Sequence, residues 1–114
     1  MFKQDIEKVV NDFSDKIQPL WKLNKDNYAV LLEYYDVIKE AASLNEVGNI
    51  KTSINPKTME IEILLEDIVY FSSTNEEKMF LVLANTSRFR VFKNKKPDMF
   101  NIALSFPSLW EAAI

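Results

Sequence analysis

The sequence has no cysteine, no histidine, and a single glycine, Gly48, in 114 residues. Without cysteine no disulfide framework can form. Without either residue, zinc, copper and haem sites lose the thiolate and imidazole ligands they draw on. Cys–His and Ser–His catalysis lose the base that titrates near neutrality. Phosphate-cradling and dinucleotide-binding turns need several glycines so that the backbone can approach the phosphates, and one glycine excludes enzymes of those types. No cofactor and no catalytic residue is expected. Long apolar runs are also missing. The longest, Met79 to Ala84, covers six residues, against the roughly twenty that a membrane helix needs. The opening MFKQDIEKVV breaks its apolar residues with charge, unlike a secretion signal. These absences lead to the expectation of a soluble, cytoplasmic protein.

What is present is the composition of one globular domain, residues 1–114, with 47% hydrophobic and 27% charged residues. The net charge of −3 is unevenly spread. Residues 87–96, SRFRVFKNKK, carry +5, which leaves −8 for the remainder. A general polyanion binder is usually basic throughout, so this pattern favours a specific partner or plain solubility.

Hydrophobic spacing gives the elements. Phe2, Ile6, Val9, Val10, Phe13, Ile17 and Leu20 recur every three or four residues, which predicts an amphipathic helix stopped near Gln18 by Pro19, with Trp21 in a linker. The mixed charges between them argue against a membrane-surface helix. A second helix runs from Tyr28 to Leu44 with two apolar stripes, capped by Asn24 or Asn27 and ended by a left-handed stop at Gly48 and Asn49. Two stripes need covering on two sides, by the first helix and a sheet or by a second copy of the chain across helix 28–44. Ile50–Ile54, a turn at Asn55-Pro56-Lys57-Thr58 and Met59–Leu65 read as a hairpin with Met59, Ile61, Ile63 and Leu65 inward and Glu60 and Glu62 outward. A third strand is placed at Ile68–Phe71. Capping boxes at Ser73-x-x-Glu76 and Thr74-x-x-Glu77 start a helix over 75–85, although Met79–Ala84 also suits a buried strand. Strands at Arg88–Lys93 and Met99–Phe106 flank the loop 94–98, and Pro107–Ile114 reads as a short helix with proline in its first turn. The order αα-βββ-α-ββ-α defines an α+β fold: two N-terminal helices, then a largely antiparallel sheet with helices on one face.

Three charged groups are candidates for function. Glu60, Glu62, Glu66 and Asp67 form the densest carboxylate set, spaced on a strand so as to bracket a hard cation such as Mg²⁺. A metal-dependent nuclease or phosphodiesterase would also want a lysine where this strand offers Ile63 and Leu64. An outward strand face kept polar for solubility accounts for the same residues. Glu33, Asp36 and Glu40 share one stripe of the second helix and repel one another, which a basic partner surface would offset. Arg88, Arg90, Lys93, Lys95 and Lys96 form a basic ridge. On a strand, Phe89 and Val91 point away from Arg88 and Arg90, so the interleaved aromatics read as core rather than as stacking platforms. Phe92 alone is set apart for the cations' face, and nucleic-acid binding is not expected.

The reading that follows is a non-catalytic protein-binding module. It would be a small acidic adaptor or inhibitor whose basic ridge and acidic stripe steer it onto a partner protein. Toxin-immunity proteins and phage-encoded antagonists of host defence have this size and composition, an analogy of class only. The alternatives are a dimeric chaperone for a secreted protein and, from another class, the carboxylate-metal phosphodiesterase.

Overall fold

In the computed structural model, which describes residues 3–71 and 76–113, the first apolar stripe forms helix α1 (Lys3–Ile17). Ile6 and Val10 are fully buried beneath it, with Phe13 and Ile17 partly so. Phe2 lies outside the described residues. The helix ends two residues before Pro19, whose ring disfavours helical geometry at the residue it follows.

Helix α2 (Lys25–Leu44) starts at Asn24, whose side-chain oxygen accepts a 3.1 Å hydrogen bond from the Asn27 amide. Leu31, Tyr35, Ile38, Ala41 and Ala42 are buried along it. Its end corrects the sequence reading. The left-handed residue is Glu46 (φ 53°), not Gly48 or Asn49. The Val47 amide donates to Ala42 O and the Glu46 amide to Ser43 O, closing a Schellman motif, and Asn45 Nδ2 donates to Ala41 O. Gly48 serves a different need: a β-carbon there would lie 2.6 Å from Cβ of Asp67.

The main sheet holds β2 (Asn49–Ile54), β3 (Ile61–Ile68), β4 (Arg88–Lys93) and β5 (Phe100–Phe106), in the order β2-β3-β5-β4 with every neighbour antiparallel. Ile61 sits opposite Phe106, Ile63 opposite Leu104 and Leu65 opposite Ile102. All six are buried, in one core cluster with residues of α1, α2 and helix α3 (Glu76–Ala84). The α+β class is as expected, with helices on one face of an antiparallel sheet. The alternating strand has its isoleucines inward, and the segment 76–84 is helical. Met59 is half-buried against the core but belongs to the connection, in a left-handed conformation. Ser73, Thr74 and Asn75, where the capping boxes and helix start were placed, lie outside the described residues.

Three elements differ from expectation. Ile68 ends β3 through a bulge between Leu65 and Ile68, so no separate strand occupies Ile68–Phe71. Trp21–Leu23 is a strand, β1, and Trp110–Ala112 is a strand, β6, rather than part of a terminal helix. These two pair antiparallel, with Leu23 opposite Trp110. A lone helix as short as 107–114 is marginal because its nucleus is costly. As a strand, the segment buries both Leu109 and Trp110. The Trp110 ring meets that of Phe13 at a centroid distance of 4.9 Å, and its Nε1 donates to Ser14 Oγ at 2.9 Å. Ile114 lies outside the described residues.

Candidate partner-binding surface

All six residues of β4 are exposed, at an edge of the sheet that no helix covers among the described residues. Phe89 and Val91 sit opposite Leu104 and Ile102, so they take the helical side as the alternation predicts. They are not core, however: 48% of Phe89 and 56% of Val91 remain accessible. Helix α3 stops short of them, and a crevice of about 70 Å³ separates Leu83 on α3 from Phe89, with Phe71 and Met79 beside it.

On the opposite, uncovered face, Arg88, Arg90 and Phe92 lie over Ser105, Ala103 and Asn101. Together with Lys51, Ser53 and Glu62 they rim a hollow of about 770 Å³. Phe92 does share a face with the cations, as sequence reading allowed. Its ring, still exposed, already has the Arg90 guanidinium 5.2 Å from its centroid.

Two carboxylates hold β4 at its ends. Glu60, in the connection before β3, takes hydrogen bonds from Ser87 Oγ and, at 3.0 Å, from the Arg88 guanidinium. The Ser87 bond is the main reason its carboxyl titrates below the ordinary value, with Thr58 and Arg88 adding to the effect. Asp67, left-handed at the bulge (φ 59°), takes Lys96 Nζ at 3.0 Å and Asn94 Nδ2 at 2.6 Å. The Lys96 bond, then that from Asn94, lowers its pKa. Asn94 also donates to Asn101 Oδ1 at 2.8 Å, and its own Oδ1 accepts the Lys96 amide, so the basic loop is folded down onto the sheet.

The five cations of the ridge therefore divide. Arg88 and Lys96 are spent on internal ion pairs. Arg90, Lys93 and Lys95 are exposed and form no ion pair among the described residues. The acidic stripe is elsewhere. Glu33 and Glu40 are exposed on α2 and Asp36 is half-buried, in the helical layer on the far side of the sheet from Arg88 and Arg90. The structure does not bring the two charge sets together. The second stripe of α2 is partly covered, with Tyr34 stacked on Phe106 at 6.2 Å while Val30 and Leu44 stay exposed.

Of the four carboxylates weighed for metal binding, Glu60, Asp67 and Glu66 are each ion-paired, Glu66 with Lys51 at 3.0 Å. Among the described residues no group of three or more acidic, histidine or cysteine side chains is placed to hold a metal. None of the described helices is long and apolar enough to cross a membrane.

Sequence reasoning missed the exposed apolar side chains of α3. Phe80 is 70% accessible, and Leu81 and Leu83 are also exposed, whereas Met79 and Val82 alone are buried. The signal was in the run Met79–Ala84, which leaves this part of the helix no polar face to turn to water. Phe80 and Leu83, three apart, share one side of the helix, and Leu83 borders the crevice whose other side is Phe89. No family model, curated protein or solved structure matches this chain.

Proposed function

We propose that the protein is a non-catalytic protein-binding module, an acidic adaptor or inhibitor working in the cytoplasm by occupying a partner protein through the side formed by α3 and β4. One observation carries the reading. Leu83 of α3 and Phe89 of β4 border one crevice and stay exposed, with Phe80 and Val91 exposed on the same two elements, and β4 and the loop after it carry Arg90, Lys93 and Lys95, the cations left without an internal ion pair among the described residues. Apolar strips rimmed by charge mark protein contact surfaces, the apolar part supplying affinity and the charge steering the encounter. A remainder carrying −8 would repel a polyanion from most approaches, which weighs against nucleic acid as the occupant.

The test compares proteins retained from the native host by the wild type and by Phe80→Ser with Phe89→Ser, both checked for a cooperative fold. A protein retained by the wild type and lost by the variant is the expected result. An identical retained set would overturn the reading, and so would tight, salt-sensitive binding of labelled DNA or RNA by the wild type.

A further inference from the structure

The sheet order leaves two edges, β2 and β4. They differ in what covers them. Helix α1 lies against β2, whereas β4 is exposed along its whole length. The backbone bonds of β4 run to β5, as does that from the Ser87 amide at its start, and the Asn94 amide just past its end donates to Met99 O, next to β5. The outward N–H and C=O groups of an edge strand form a template for another strand. This edge is also tied down at both ends. Glu60 fixes its beginning through Ser87 and Arg88, and Asp67 fixes the loop beyond its end through Asn94 and Lys96. Preordered contact groups reduce the entropy lost on binding.

We propose that the free edge of β4 accepts an extended segment of a partner protein, a strand in which apolar and acidic residues alternate. The proposal rests on the protein-binding reading and names its mode and its partner's chemistry. An added strand sends successive side chains to opposite faces of the sheet. On the helical side its residues would lie beside Phe89 and Val91, with Leu83 of α3 across the crevice, and apolar side chains suit that place. On the other side they would lie beside Arg88 and Arg90, where carboxylates suit. Cross-strand pairs of opposite charge stabilise a sheet, and like charges directly opposite destabilise it. That second rule weighs against the simplest competitor, another copy of this chain, because β4 carries Arg88, Arg90 and Lys93 and no acidic residue, so β4 paired with β4 brings two +3 strands together. The charges that guard this edge against its own kind select an acidic strand.

The experiment titrates the full-length protein with a short, end-blocked peptide in which glutamate alternates with isoleucine. Two controls accompany it: an isomer with its glutamates in one block, and an alternating peptide N-methylated on the amides of one edge. The alternating peptide should bind, and each control should bind about tenfold more weakly, the loss expected when one or two cross-strand pairs or backbone bonds are removed. Arg90→Glu, which breaks no ion pair among the described residues, should shift the preference toward a peptide alternating lysine with isoleucine. That gain of binding does not depend on an absence caused by misfolding. Equal binding of both isomers, indifference to N-methylation, no binding of the alternating peptide, displacement of it by an oligonucleotide, or a dimer that dissociates on Arg90→Glu would each overturn strand addition. A host protein retained through Phe80 but indifferent to changes in β4 would leave the protein-binding reading standing and strand addition refuted.

Discussion

Asp67 Oδ1 accepts a 2.6 Å hydrogen bond from Asn94 Nδ2, joining the bulge at the end of β3 to the loop that leaves β4. Asn101 completes the arrangement from β5 between them, its Oδ1 accepting from Asn94 Nδ2 at 2.8 Å and from the Asp67 amide at 3.3 Å. Three polar side chains thus fix the relative position of three strands at the end of the sheet where the basic loop emerges.

Asn101 is only 8% exposed, and replacing it with alanine takes the side-chain acceptor from the Asp67 amide and one of the two acceptors of Asn94 Nδ2, which keeps Asp67 Oδ1. Asn101→Ala is expected to cost about 1–3 kcal/mol, the penalty for stranding polar groups away from water. Urea unfolding of the variant measures it. A loss below about half a kcal/mol would place these contacts among ordinary surface polar pairs.

Glu60 and Asp67 both titrate below their ordinary values of 4.5 and 3.8, Glu60 chiefly through Ser87 and Asp67 chiefly through Lys96. A carboxyl whose pKa is lower in the folded state stabilises the fold fully above its unfolded value, and the contribution fades as the pH falls through the folded value. The wild type should therefore lose stability as acid passes below about pH 4. Glu60→Gln should flatten that part of the profile. Thermal midpoints measured from pH 7 down to the acid limit check this, and an unchanged acid slope in Glu60→Gln would remove Glu60 from the account.

Gly48 has no left-handed backbone, so its requirement is one of space. With a β-carbon placed 2.6 Å from Cβ of Asp67, Gly48→Ala should destabilise by about 1–3 kcal/mol through overpacking. Asp67→Gly in the same chain should restore part of the loss by emptying the space and relaxing a left-handed aspartate. Additive effects in the double mutant would mean that the two residues do not meet.

The sequence made local periodicity legible and left tertiary cover illegible. Ile61, Ile63 and Leu65 alternate strictly with polar neighbours or lie in step with those that do, and all three are buried. Phe89 and Val91 alternate just as cleanly, and their phase is right. Their exposure depends on where α3 stops, which no pattern within β4 encodes. Gly48 invited a left-handed stop by residue type, yet Glu46 adopts it and Gly48 answers a contact with Asp67, far along the chain. The C-terminal segment failed for the same reason: Trp110 is drawn into a strand by Phe13, Ser14 and Leu23, which are remote in sequence. In the candidate surface the ridge was visible as a run of cations. Which of them are already paired depended on Glu60 and Asp67, more than twenty residues upstream.

The clasp formed by β1 and β6 depends on Trp110, which fills the space beside Phe13 and donates to Ser14. Trp110→Phe keeps an aromatic ring and loses the donor, and should cost about 0.5–1.5 kcal/mol, the net worth of one hydrogen bond. Trp110→Ala should cost about 3–5 kcal/mol, as large aromatics do when removed from a core. Chemical denaturation of both variants distinguishes these contributions, and equal losses would mean that the ring contributes nothing beyond its hydrogen bond.

The division among the ridge cations leads to the last prediction. Arg90 and Lys95 are exposed and make no ion pair among the described residues, so reversing both to glutamate should leave the fold intact. The change should instead slow association with a partner by about tenfold at low salt, with little effect on dissociation, because rim charges act on the encounter. The difference should shrink as the ionic strength rises toward about 0.15 M, where the screening length falls to about 8 Å. Arg88→Glu should behave differently. It removes the 3.0 Å contact with Glu60 and sets two carboxylates together at the start of β4, so its first effect is a lower unfolding midpoint, with binding reduced in consequence. Stopped-flow association and thermal unfolding of the three variants, measured side by side, separate the cases. If Arg88→Glu were as stable as the wild type, or if Arg90→Glu with Lys95→Glu acted on dissociation alone, the assignment of Arg88 to the fold and of Arg90 and Lys95 to steering would fail.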